Sequence, residues 1–232
     1  MAKLTTIGFD ADDTLWHNER FFRITQERFA QLLAQYADPD HLMERLLEAE
    51  KRNISHYGFG IKGFVLSMIE TALDVTGDKV PGPVIRSLVE AGQDMLRHPI
   101  ELLPHARDAI AAVAEQYRVV LITKGDLLDQ ERKLAQSGLG ELFDGVEIVS
   151  EKTTAVYAGI FDRHGDGASY GMMVGNSMKS DVVPMVQAGG WGVYVPHGLE
   201  WEIEKADAPE DAPRFRQLTD LGELPALIAA LR

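Results

Sequence analysis

The sequence predicts an α/β protein: a parallel sheet with helices on both faces, interrupted after its first strand by an all-helical insertion. Three observations carry this. Residues 4–9 form a short apolar run that stops abruptly at Asp10-Ala11-Asp12-Asp13-Thr14, as a buried strand does when it delivers polar groups at its end. Residues 18–98 repeat apolar side chains at helical spacing almost throughout. After Pro104 the pattern changes to short β-branched runs alternating with helical segments, the signature of right-handed crossovers in a parallel sheet.

Taken in order, the strand at 4–9 is followed by predicted helices at 21–36, 40–53, 61–77 and 83–98. The turn Tyr36-Ala37-Asp38-Pro39 and a loop over 53–60 separate them. Then come a helix at 105–116, a strand at 118–123, a helix at 126–137, a strand at 146–149 and a helix at 155–161. A strand at 170–174, a helix at 181–188, a strand at 192–195 and a last helix at 221–231 complete the pattern. Residues 200–214, polar and broken by proline, read as an exposed loop. The domain assignment is therefore 1–15 plus 104–232 for the sheet and 16–103 for the helical insertion.

At 232 residues the chain can bury roughly 70% of its extended surface, enough for a core without staples. Its net charge of −13 opposes a surface that neutralises many phosphates, so nucleic acid is not an expected partner. A small phosphorylated metabolite is compatible, because a pocket can be cationic on an acidic molecule. Cysteine is absent, which removes disulfides, thiolate nucleophiles and cysteine-ligated zinc. No apolar run approaches the ~20 residues that cross a bilayer, and the N-terminus turns acidic within ten residues. The expectation is a cytoplasmic protein with no membrane partner.

Open α/β sheets bind ligands beyond the carboxyl ends of their strands. Those ends here carry Asp10 and Asp12, Thr123-Lys124-Gly125-Asp126, Glu151-Lys152, and Gly175-Asn176-Ser177 with Asp181 following. Carboxylates crowded onto neighbouring loops need a cation between them, and Mg²⁺ favours such oxygens together with phosphate. One chemistry uses four of these groups, one or two from each of three strand ends: Asp10 attacks phosphorus, Asp12 protonates the leaving oxygen and then activates water, while Thr123 and Lys152 hold the transferring group. Taken singly, an Asp-x-Asp is a turn or a cap, and a lone Thr or Lys means little. The histidines His17, His56, His105 and His197 show no ligand spacing and read as structural or surface residues, apart from His56 considered below.

In order along the chain, Phe-Asp10-Ala-Asp12-Asp-Thr14-Leu15, Leu-Ile-Thr123-Lys-Gly, Lys152 and Gly175-Asn-Ser-Met-Lys-Ser-Asp181 resemble the four motifs of the haloacid dehalogenase-like hydrolase superfamily. The resemblance implies a Rossmann-like core with an inserted helical cap, Mg²⁺ as cofactor, and a phosphatase acting on a small phosphate monoester through an aspartyl-phosphate. It implies Asp10 and Asp12 as catalytic residues, Thr123, Lys124 and Lys152 as phosphate contacts, and Asp10, Asp12, Asn176 and Asp181 as metal ligands. His56 and Lys62 stand where the cap would meet substrate. Asn176 departs from the family's usual Asp, and a neutral ligand lowers the expected Mg²⁺ affinity. A phosphomutase, or a ligand-binding or regulatory protein weakened in catalysis by Asn176, stays open. A 2-haloacid dehalogenase needs only the first Asp and leaves Asp12 unexplained.

Overall fold

The computed structural model describes residues 3–199 and 201–231. Met1, Ala2, Glu200 and Arg232, assigned by sequence to the sheet domain and its loop, lie outside the described residues. Contacts divide the chain into two compact units, one holding the chain up to Glu19, Ile100–Lys124 and the chain from Gln130 on, the other Arg20–Pro99 with Gly125–Asp129. The first unit keeps a few residues that the sequence places in the insertion. Trp16 bridges to Leu102, and the His17 N–H donates to the Glu101 carbonyl at 3.0 Å. Among the described residues no helix is long and apolar enough to cross a membrane.

The sheet unit contains β1 (Thr6–Phe9), β2 (Arg118–Lys124), β3 (Gly145–Val149), β4 (Gly171–Gly175), β5 (Trp191–Tyr194) and β6 (Phe215–Gln217). They form one parallel sheet in the order β3-β2-β1-β4-β5-β6. Successive strand residues point to opposite faces, and the burial follows that period. Ile7, Phe9, Val119, Leu121, Met172 and Val174 enter one core, while Val120, Ile122 and Met173 enter the other with Tyr157 and Phe161. With both faces covered, the central strands β1, β2 and β4 read as nearly continuous apolar runs. The strand order reverses on either side of β1, so the ends of β1, β2 and β4 flank the crevice that such a reversal creates.

The helical unit consists of α1 (Glu19–Leu33), α2 (Pro39–Tyr57), α3 (Ile61–Thr76) and α4 (Gly82–Arg97), apart from Glu19. Phe29, Leu33, Leu42, Leu46, Phe64, Met68, Ala72 and Leu88 form its own core. Asp38 caps α2 by accepting from the His41 N–H at 3.0 Å, with Pro39 in the first turn. That helix runs to Tyr57 rather than to Asn53, because the chain meets no conformation closed to a helix until Gly58, at φ 72°. His56 accordingly lies in the last turn of α2, and Lys62 in the first turn of α3.

The remaining helices are α5 (Ala106–Ala114), α6 (Leu127–Ser137), α7 (Thr154–His164), α8 (Val183–Gln187) and α9 (Leu224–Ala230). The segment predicted as one helix over 181–188 is a π-turn over Met178–Val182 running into α8. The three-residue β6 carries too short a pattern to be read; it pairs with β5, and Arg216 stacks over the Trp191 ring at 4.9 Å.

Candidate active site

The site begins where β1 ends. The Asp10 N–H donates to the Val174 carbonyl of β4 at 2.9 Å, fixing the two strand ends against each other. The chain then turns tightly, with the Leu15 N–H bonded to the Ala11 carbonyl at 2.8 Å and Asp13 in the left-handed region at φ 59°. Thr14 returns its hydroxyl to Asp10 Oδ2 at 3.0 Å and accepts from the Asn176 main-chain N–H at 3.0 Å. The first and fourth strand-end segments are thereby joined.

Behind Asp10 sits Lys152, 3% exposed. Its Nζ donates to Asp10 Oδ1 at 2.5 Å and to Asp181 Oδ1 at 2.6 Å. The second Asp181 oxygen accepts from the Ser177 N–H at 2.9 Å, so Asp181 supports the lysine and the β4 loop. A Cβ at Gly175 would collide with the Asp181 carboxylate, which is why the strand ends on a glycine. Burial pushes Asp10 up to about 7, with Lys152 opposing and Asp181 adding to the rise. Burial works against the Lys152 charge, but Asp10 and Asp181 outweigh it and hold its pKa above the ordinary lysine value. Two carboxylates and one ammonium leave the buried cluster at −1 when all are ionised.

The amide of Asn176 faces the same point. Oriented so that its nitrogen satisfies its neighbours, it donates to Thr14 Oγ1 at 3.1 Å, Asp10 Oδ2 at 3.2 Å and the Asp12 carbonyl at 3.1 Å. Turned over, the amide presents oxygen, and an Asp10 carboxylate oxygen, the Asp12 main-chain oxygen and Asn176 Oδ1 make an all-oxygen set beside a net negative charge. That set fits a hard divalent cation such as Mg²⁺.

The Asp12 side chain points elsewhere. Its oxygens accept from the Trp16 indole at 2.7 Å, Gln130 Nε2 at 2.8 Å and Lys133 Nζ at 2.9 and 3.0 Å. Lys133 and Gln130 are both buried. Gln130 and Lys133, three apart on α6, share a helix face, and that spacing is the one sign of them in the sequence. Lys124 is likewise engaged, with Glu204 Oε1 at 2.6 Å and Ser180 Oγ at 2.7 Å. Glu204 also accepts from the Ser177 and Ser180 hydroxyls at 2.6 and 2.5 Å, a contact between the loop read as exposed and the β4 end. Thr123 is 1% exposed, its hydroxyl bonded to the Lys124 carbonyl at 3.3 Å. Asp10, Asp12, Thr123, Lys124, Lys152, Asn176 and Asp181 thus belong to one unit. His56 and Lys62 belong to the other, where Lys62 Nζ donates to Asp126 at 2.8 Å.

Comparison with known proteins places this geometry. Over 98% of its length the chain is 41% identical to a haloacid dehalogenase-like family hydrolase from Xanthomonas campestris, covering 91% of that chain with a TM-score of 0.88. It shares its fold with the putative HAD-hydrolase YfnB of Bacillus subtilis, whose structure was solved bound to magnesium; identity is 16%, coverage 97% and 99%, and TM-score 0.68. The 2-haloacid dehalogenase of Pseudomonas syringae pv. tomato DC3000 is similar at 19% identity, 99% and 100% coverage and a TM-score of 0.62. Curated proteins give no match. The family model for haloacid dehalogenase-like hydrolases matches residues 4–189, and with the order of the strand-end groups this shows that the chain belongs to the haloacid dehalogenase-like hydrolase family.

Proposed function

We propose that this hydrolase is a Mg²⁺-dependent phosphatase of small phosphate monoesters, working through an aspartyl-phosphate. The observation that carries the reading is the approach of an Asp10 carboxylate oxygen, the Asp12 main-chain oxygen and the Asn176 side chain to one point beside the buried cluster of Asp10, Asp181 and Lys152. Asp10, the Asp12 carbonyl and Asn176 would hold the ion, which supplies positive charge opposite the phosphoryl oxygens. Asp10 forms an Oδ–P bond as the ester P–O bond breaks, and Asp12 gives the leaving oxygen its proton. Water then attacks the acyl phosphate, Asp12 takes the water proton, and phosphate leaves. For the first step Asp12 must part from Trp16, Gln130 and Lys133 and take up a proton from solvent. Thr123 and Lys152 steady the transferring group; Lys124 joins them once it parts from Glu204. The helical unit, with His56 and Lys62, selects among leaving groups.

A second reading is favoured by the engagement of Asp12 itself: with that carboxylate held by Lys133, Asp10 and Lys152 remain, and a dehalogenase attacks carbon with such a nucleophile alone. The test is a panel of phosphate esters and 2-haloacids with Mg²⁺, reading phosphate and halide release. Phosphate release supports the phosphatase. Halide release without it supports the dehalogenase. Asp12→Asn then separates the steps: general acid help is worth about 10²- to 10⁴-fold, so alkyl phosphates lose more than nitrophenyl phosphate, whose leaving group needs no proton. Equal losses would remove Asp12 as the donor.

A further inference from the structure

We propose that Asp13, His17 and His197 form a second metal site, one for a borderline divalent ion of the zinc type. Each residue offers a ligand atom, and these atoms lie within 4.8 Å of one another. His197 Nδ1 stands 3.6 Å from Asp13 Oδ1, and the rings of His17 and His197 meet edge to face with centroids 5.7 Å apart. All three residues belong to the sheet unit.

The carboxylate is built in. Asp13 is 6% exposed; its oxygens accept from the Asn18 N–H at 2.8 Å and the Glu19 N–H at 2.9 Å. Such outer bonds fix the direction of a metal ligand. His17 is anchored through its main chain to Glu101, and His197 Nδ1 lies 3.3 Å from the Leu199 carbonyl. Two imidazoles and one carboxylate suit zinc and its neighbours better than magnesium, and three protein ligands leave a further position for water. This donor set is distinct from that at Asp10 and Asn176, which is all oxygen. A bound ion would tie the turn after β1 to the loop after β5, and binding to the native state alone stabilises it.

The test is calorimetry with Zn²⁺ in excess Mg²⁺, beside imidazole ¹⁵N NMR of the wild-type protein. Expected are one equivalent bound, ring-nitrogen shifts at both His17 and His197, a loss of affinity of tenfold or more in His17→Gln and in His197→Gln, and unchanged binding in Asp10→Asn. Binding that vanishes in Asp10→Asn but persists in His197→Gln would put the ion at Asp10 and overturn the proposal. Unmoved ring nitrogens, or no Zn²⁺ binding, would do the same. The wild-type spectrum keeps the test decisive even where a histidine variant fails to fold.

Discussion

Both units bury polar side chains, and the contrast between those sets locates function. In the helical unit the buried polar groups among the described residues are Thr25, Glu50, Asn53, Ser67, Thr71 and Asp129. Several bond back to their own helix: Thr25 to the Phe21 carbonyl, Ser67 to Gly63 and Thr71 to Ser67. Asn53 donates across to Ser67 at 3.2 Å and to Glu70. These bonds satisfy groups that packing removes from water, and none of them joins two charged side chains. In the sheet unit Asp10, Asp13, Lys133, Lys152 and Asp181 are buried together at one end of the sheet. Two carboxylates there share one ammonium, and a third carboxylate lies beside an imidazole. Burying unbalanced charge costs stability, and active sites are where such charge is concentrated.

The sharpest break of that contrast is Asp10→Asn. It removes the nucleophile, so turnover of any ester should fall by 10³-fold or more, on the order expected when a covalent step is lost. Stability should move the opposite way. Asp10 stands at about 7 in the folded chain against 3.8, so between these values the native state binds the proton that the unfolded state has released. Stability falls as pH rises through that window. The amide should therefore raise Tm by about 2–6 °C at pH 8, taking ~1–2 kcal/mol for the relieved charge, and change it little at pH 4. Thermal scans at both pH values check this; a lower Tm at pH 8 would show the pair to be net stabilising.

Lys152→Met should follow. It strands two buried carboxylates, and breaking a buried ion pair from one side costs about 3–5 kcal/mol. Hydrolysis should be lost too. The double variant Lys152→Met with Asp181→Asn should recover much of the stability in urea titration and none of the activity, separating the support of the fold from the support of phosphate.

How much of this was legible in the sequence depends on chain separation. Asp10, Thr123, Lys152 and Asn176 could be read because each stands at a strand end, and strand ends of one parallel sheet converge whatever the loops do. Lys133 is not legible in the sequence, because its partner Asp12 is 121 positions away and its own helix offers only an i, i+3 spacing with Gln130. Glu204 sits in a proline-broken stretch whose composition reads as exposed, yet Lys124 and two serines hold it and its side chain is only 14% exposed. His17 and His197 lack ligand spacing because the fold, not the local chain, supplies the pairing.

Asn176→Asp sharpens the comparison by adding charge where the sheet unit already carries it. The side chain faces Asp10 Oδ2 at 3.2 Å, so without divalent ions a carboxylate should lower Tm by a few degrees, for about 1 kcal/mol of repulsion. With Mg²⁺ the order should reverse, and the concentration for half-maximal activity should fall by about tenfold, since charge count tunes affinity for hard cations. Identical metal titrations of the two proteins would remove Asn176 from the ion.

The smallest effect belongs to the helical unit, at Lys62→Ala. The Lys62–Asp126 pair is 2.8 Å long, but its side chains are 58% and 30% exposed, and exposed pairs contribute about 0–1 kcal/mol. Tm should move by no more than about 2 °C. The reading of this unit as the selector of leaving groups predicts a different response in turnover. Activity on nitrophenyl phosphate should stay within about twofold, while the ratio of kcat/KM between a bulky anionic ester and that small one should shift several-fold, because remote contacts act on the leaving group and not on the phosphoryl. A uniform change across the panel would return Lys62 to the role its geometry already shows, an ion pair with Asp126, and would leave substrate choice to the sheet unit.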